Sequence, residues 1–479
     1  MKVLFAASEA VPFIKTGGLG DVAGALPKAL CEKGVDARVI LPLYQDIPEK
    51  WKSQMNFLKV VWVPLAWRTQ YCGVFSLEYE GVIYYFLDNK YYFGRRGLYG
   101  YFDDAERYAF FCKAVLEILQ HLDFEPDVIH CNDWQTALIP VFLEEFYRKD
   151  VPCCQNLRIL FTIHNIQYQG IFPPDITEYV MGMSRENYDN GWLQFDGMVN
   201  LMKAAIVSSS WITTVSPTYA QEIQYEYYGH GMQWMLRNER EKLSGILNGI
   251  DCTVYDPKTD SHLFANYSAR GPKKKEINKA KLQEMLGLPV RPEVPMIAMI
   301  SRLVEHKGLD LVKYDLEQIL EDDIQLVVLG TGDYQYEEMF KEAQRKYPSK
   351  VSANITFNLD LAQKIYAGAD IFLMPSKSEP CGLSQMIAMR YGTIPVVRET
   401  GGLKDTVQPY WEGTGTGFTF TNYNADDMLY VLREAEALYS DMVSWKKLMK
   451  NAMNKDFSWN LPAKEYIALY EKITGKNKL

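Results

Sequence analysis

Short apolar runs alternate with amphipathic stretches along the whole chain. KVLFAAS, ARVILPL, VIYYFL, DVIHCN, RILFTIH and WITTVS are strand-like runs in the first half, several of them separated by segments of helical period. After the turn-forming stretch Asn248-Gly249-Ile250-Asp251 the rhythm restarts. PMIAMIS, IQLVVLG, NITFN, IFLMPS and TIPVVRE follow, each succeeded by a helix or a loop. The pattern predicts an α/β protein with two doubly wound domains that meet near residues 245 to 251. The length of 479 residues agrees, since a single core rarely grows beyond about 250 to 300 residues.

Composition narrows the classes of function. Hydrophobic residues make up 48% of the chain and charged residues 23%, an ordinary globular balance. A net charge of −9 lacks the basic face that a nucleic-acid polyanion requires, so no nucleic acid is expected as a partner. A small anion remains compatible, provided that Lys, Arg and backbone N–H groups cluster locally. The eight cysteines show no paired CxxC spacing and read as reduced thiols. The first residues enter a short strand and meet Glu9 where a signal peptide would stay apolar. No later run reaches the roughly 18 apolar residues of a membrane span, so the expected setting is cytoplasmic with no membrane contact.

Three segments carry chemistry, each at the end of a predicted strand, where ligands of open α/β sheets bind. The first is Lys15-Thr16-Gly17-Gly18-Leu19-Gly20-Asp21, ahead of a helix read from Val22 to Cys31. Glycines let a ligand approach the backbone, a helix N-terminus offers unpaired N–H groups to phosphate, and Lys15 adds charge. Gly18-x-Gly20-x-x-Ala23 also fits a dinucleotide fingerprint formally. It begins well after the strand, though, and no acid ends a second strand, because Asp36 precedes ARVILPL. The second segment is Ser301-Arg302-Leu303-Val304-Glu305-His306-Lys307-Gly308, where Arg302 as a fork and Lys307 as a point charge are both able to meet a diphosphate. In the third, Pro375 to Ser384, the N–H groups of Gly382, Leu383 and Ser384 open a helix. Glu379 there is placed to bind sugar hydroxyls or to cap that helix, and the two roles do not exclude each other.

KTGGLGDV, SRLVEHKG and the block from Glu379-Pro380-Cys381-Gly382 to TGGLKDTV together resemble bacterial glycogen and starch synthases over essentially the whole chain. The resemblance implies a GT-B fold, two Rossmann-like doubly wound domains facing across a deep cleft. Residues 1–247 would form the acceptor-side domain and 248–456 the donor-side domain, with 457–479 a helix crossing back to the first. It implies a retaining transfer of glucose from ADP-glucose to the 4-hydroxyl of an α-1,4-glucan. His164, Arg302, Lys307 and Glu379 are the implied catalytic set. Lys15, Gly18, Asp21, Asp133, Asn248, Phe357, Cys381, Gly382, Leu383 and Ser384 are the implied substrate contacts, with Phe357 against the adenine.

Taken alone, a histidine that ends an apolar strand has an ordinary structural reading; the resemblance is what gives His164 a role. Four positions depart from the family pattern: Lys377-Ser378 for Arg-Phe, His306 for Gln, and Asn132 for the His of His-Asp-Trp. No metal and no cofactor are expected, as no Asp-x-Asp pair or ligand-spaced histidine cluster is evident. The rivals are a catalytically silent glucan-binding or regulatory protein, a transferase of another donor, and a phosphorylase-type enzyme. Oligomeric state is not legible.

Overall fold

The computed structural model describes residues 1–271 and 273–476. The chain divides into two compact units, Met1–Gly249 with the segment from Trp459 onward, and Ile250–Ser458. Both divisions fall two residues beyond those read from the sequence, which returns Asn248 to the first unit.

The first unit is built on a nine-stranded sheet. In spatial order its strands are Leu243–Gly245, Trp211–Thr214, Arg158–Ile163, Val128–Asn132, Lys2–Ala6, Asp36–Pro42, Val82–Asp88, Arg68–Tyr79 and Asn56–Leu65. Seven run parallel, and the last two add an antiparallel hairpin. Val128–Asn132 is buried at every position, and Lys2–Ala6 and Arg158–Ile163 at every position but the first. Because neighbouring side chains point to opposite faces, such burial means that both faces are covered. One cover is the helix Asn460–Thr474, whose Tyr470 hydroxyl lies 2.8 Å from Nδ1 of the buried His130. That helix realises most of the segment 457–479 in the first unit, and residues 477–479 lie outside the described residues.

The second unit carries six parallel strands in the order Val351–Asn354, Gln325–Leu329, Met296–Ile300, Ile371–Met374, Ile394–Arg398 and Phe418–Phe420. NITFN is not the third of the expected strands. The strand is Val351–Asn354, and residues 355–358 form a loop that ends in Asn358, which caps the helix Leu359–Gly368 through its side chain. An asparagine at that point serves the orphan N–H groups of the next helix better than it serves a ladder.

Both sheets reverse their winding at one place. In the first, the chain leaves Lys2–Ala6 toward Asp36–Pro42 on one side and later returns to Val128–Asn132 on the other. In the second, Met296–Ile300 is flanked by Gln325–Leu329 and by Ile371–Met374. The crevice at the carboxyl ends of such diverging neighbours is where open α/β sheets bind ligands. No helix among the described residues is long and apolar enough to cross a membrane.

Candidate active site

In the first unit the switch point is fed by the loop after Lys2–Ala6 and by the turn after Val128–Asn132. The helix expected from Val22 starts four residues earlier, at Gly18, with Gly17 in the cap position and no side-chain cap bond. Gly18, Leu19 and Gly20 therefore make the first turn themselves, and theirs are the N–H groups without helical partners. Lys15 Nζ sits 2.6 Å from an Asp21 carboxylate oxygen, each side chain 27% exposed. Beneath this loop Glu9, almost wholly buried, accepts hydrogen bonds from the Thr16 hydroxyl at 2.7 Å and from the Thr16 backbone N–H. Burial pushes the Glu9 carboxyl above its usual range, against the pull of those donors. Sequence reasoning passed over Glu9 as a site residue. Its signal was an acid three residues beyond an apolar strand, at a place where a carboxylate needs donors to be buried.

Asp133 follows the strand Val128–Asn132 with a left-handed φ of 57°. Its Oδ1 accepts from the His164 backbone N–H at 2.7 Å, and its own N–H donates to the Thr162 carbonyl at 3.0 Å. These bonds clip two strand ends together and hold His164 in place. Burial raises the Asp133 carboxyl to about 7, with the Glu9 charge adding to the rise, and lowers the His164 imidazole to about 3. His164 is therefore neutral at physiological pH, with Nε2 2.9 Å from Asn132 Oδ1. Asn248 is buried and its Oδ1 has no hydrogen-bond partner, an open acceptor among the described residues.

The two shifted groups act on stability with opposite signs. Folded Asp133 holds its proton more tightly than the unfolded chain does, so its contribution falls as pH rises from about 4 to 7. Folded His164 resists protonation, so its contribution rises with pH from about 3 to 6.5. Asp133→Asn, which keeps the side-chain shape and an acceptor for the His164 N–H, is expected to remove the first slope alone. Relative to wild type its melting temperature should gain steadily between pH 4 and 7, as followed by circular dichroism; parallel curves would contradict the assignment.

In the second unit the loops after Met296–Ile300 and Ile371–Met374 meet at the switch point. Lys307 Nζ is 2.6 Å from Glu379 Oε2, with the side chains 17% and 8% exposed, and the Ser376 hydroxyl donates to the same oxygen at 3.1 Å. The Lys377 N–H donates to the His306 carbonyl at 3.0 Å, and Gly308, at φ 79°, brings its backbone so near Pro375 that a Cβ would stand 2.1 Å from that carbonyl oxygen. Arg302 is exposed. Burial, then the charges of Lys307 and Arg302, push the His306 imidazole down to about 4, so this departure from the family pattern adds no charge at neutral pH. Cys381, Gly382 and Leu383 lead into the helix Ser384–Arg390, with Leu383 at its cap. Phe357 is 76% exposed on the loop after Val351–Asn354.

Gly401 supports Glu379 from behind. It has φ 44°, and a Cβ there would lie 2.0 Å from the Glu379 carbonyl oxygen. Gly401→Ala is expected to destabilise the protein by about 1 to 3 kcal/mol through backbone strain and to lower turnover by displacing Glu379. Thermal unfolding together with initial rates checks this, and unchanged values in both would contradict it.

Two doubly wound units, with paired cations and carboxylates on glycine-shaped loops at both switch points, define a two-domain glycosyltransferase of the GT-B class. Residues 2–238 match the starch synthase catalytic domain, and residues 284–452 match the glycosyl transferases group 1 family. The chain is 54% identical to a glycogen synthase of Desulforamulus reducens across 99% of both chains. It is 52% identical to a glycogen synthase of Geobacillus stearothermophilus, across 100% of this chain and 99% of that one. Among solved structures, the catalytic domain of starch synthase IV from Arabidopsis thaliana, bound to ADP and acarbose, superposes with a TM-score of 0.92 at 34% identity and 99% coverage of both chains. The chain belongs to the glycogen and starch synthase family.

Proposed function

We propose that the protein transfers glucose from ADP-glucose to the non-reducing 4-hydroxyl of an α-1,4-glucan with retention of configuration. The observation that carries this reading is the pairing of Lys307 with the buried Glu379 at a switch point, flanked by Arg302. A diphosphate would draw Lys307 and Arg302 toward its oxygens, and Glu379 is then free to accept from sugar hydroxyls. The ADP and acarbose bound to the Arabidopsis relative support both halves of the pair of substrates.

In the reaction the bond between the anomeric carbon and the diphosphate oxygen breaks while the acceptor 4-oxygen bonds to that carbon on the same face. The acceptor proton passes to the departing phosphate oxygen, so charge is balanced without a separate base. In the second unit Arg302, Lys307 and the N–H groups of Gly382 to Ser384 meet the charge that grows on the leaving group, which is the largest catalytic demand. His164, neutral, orients the transferred sugar, as do Asp21, Asp133 and Asn248, while Phe357 and Cys381 lie toward the nucleotide side. Among the described residues no three His, Cys, Asp or Glu side chains cluster as metal ligands. The proposed reaction needs no cofactor, and its proposed setting is the cytoplasm.

Incubation with ADP-glucose and maltoheptaose tests the reading. A ladder of longer chains whose new linkages are α-1,4 by proton NMR is expected; an unextended primer or a β-linked product would overturn it.

A further inference from the structure

This inference deepens the proposed reaction and rests on its placing of His164 beside the transferred sugar. Asn132 is fully buried at the end of its strand, which pairs on one side with Lys2–Ala6 and on the other with Arg158–Ile163. Its backbone N–H donates to the Thr136 hydroxyl at 2.6 Å. The orientation of its amide is over-determined. Nδ2 donates to the Ala6 carbonyl at 3.0 Å and to the His130 carbonyl at 3.1 Å. Turned over, the amide would set Oδ1 against two carbonyl oxygens, with no proton to share.

Oδ1 therefore faces His164, whose Nε2 lies 2.9 Å away. An oxygen that only accepts requires an N–H opposite it, and a neutral imidazole carries one proton. Nδ1 is then the unprotonated nitrogen, and it has no hydrogen-bond partner among the described residues. A histidine at position 132 would leave the choice open, since its ring can present either a donor or an acceptor; an amide pinned by two carbonyls cannot.

We propose that Asn132 is a positioning residue that locks His164 in its Nε2–H tautomer, so that the ring offers an acceptor lone pair at Nδ1 to a hydroxyl of the transferred sugar. The sugar group matched to this site is a hydroxyl donor, and an analogue with hydrogen or fluorine in place of that hydroxyl gains nothing there.

Histidine labelled with nitrogen-15 provides the test. A long-range proton–nitrogen correlation spectrum of the wild-type protein separates protonated from unprotonated ring nitrogens, and the His164 signals are those lost in His164→Ala. The expected pattern is a protonated Nε2 and an unprotonated Nδ1. In Asn132→Leu the lock is gone, and the His164 signals should move toward a mixture of tautomers. The variant should also lose about tenfold in kcat, equivalent to one hydrogen bond, with the KM for ADP-glucose nearly unchanged. A wild-type ring protonated at Nδ1, or an Asn132→Leu protein with the same tautomer and turnover, overturns the proposal. Should Asn132→Leu fail to fold because the Ala6 and His130 carbonyls are stranded, the wild-type spectrum alone decides. That spectrum needs no substrate, so it stands or falls separately from glucosyl transfer, whose absence in the wild type would instead remove the proposed function.

Discussion

Lys307→Ala is expected to lower kcat on the order of 10²- to 10³-fold, the range seen when a single preorganised donor to developing charge is removed. Lys307 comes from a short turn after Met296–Ile300 and is fixed there by Glu379 and by the His306–Lys377 backbone bond. Its ammonium needs little reorganisation to meet a diphosphate. Folding should suffer as well, because Glu379 would keep a nearly buried carboxylate with the Ser376 hydroxyl still donating to it but no counterion. The two effects separate in the Lys307→Met/Glu379→Gln double variant. Removing both charges together should recover most of the melting temperature while turnover stays lost. Recovery of turnover along with stability would mean that the pair is structural.

His164→Ala should lower kcat roughly 10²-fold through lost orientation of the sugar. Burial pushes the imidazole down to about 3, which makes it a weak base at pH 7 and fits an orienting role rather than that of a general base. The wild-type profile of kcat against pH should accordingly show no ionisation traceable to His164 between pH 5 and 8. Folding should weaken by about 1 to 3 kcal/mol, as Asn132 Oδ1 loses the N–H it faces. The Asp133 bond survives because it is made to the backbone of residue 164. Rate profiles of wild type and variant, each measured on folded protein, check both statements. A limb near pH 6.5 that vanishes in the variant would return His164 to acid–base chemistry.

Much of the framework was legible because buried parallel strands leave continuous apolar runs. KVLFAAS, DVIHCN, RILFTIH, PMIAMIS and IFLMPS all became central strands. The hairpin Asn56–Leu65 and Arg68–Tyr79 was not read, since one face stays open: Trp62, Val60 and Tyr71 are exposed where an apolar signal would suggest core. NITFN misled for the opposite reason, being β-prone in composition yet placed in a loop that caps a helix.

Among the site residues, the charged and glycine-rich segments stood out in the sequence because their chemistry is unusual at strand ends. The partnerships did not. Nothing in the spacing of Lys15 and Asp21, or of Lys307 and Glu379 some seventy positions apart, states that each pair closes to 2.6 Å. Glu9 was passed over, and Asn132 was noted only as a departure from the family pattern, because an acid or an amide at a strand end has no signature until its donors and acceptors are seen. The helix that starts at Gly18 rather than Val22 shows the same limit, since two glycines in a row read as a loop whereas here Gly17 is the cap and Gly18 opens the first turn.

The most direct test of the whole account is nucleoside diphosphate release by the purified protein in the presence of glycogen, with ADP-glucose and UDP-glucose compared, each with and without EDTA. The account predicts glycogen-dependent ADP release that survives EDTA and exceeds any release of UDP. No release from either donor by folded protein, or release that EDTA abolishes, would contradict it.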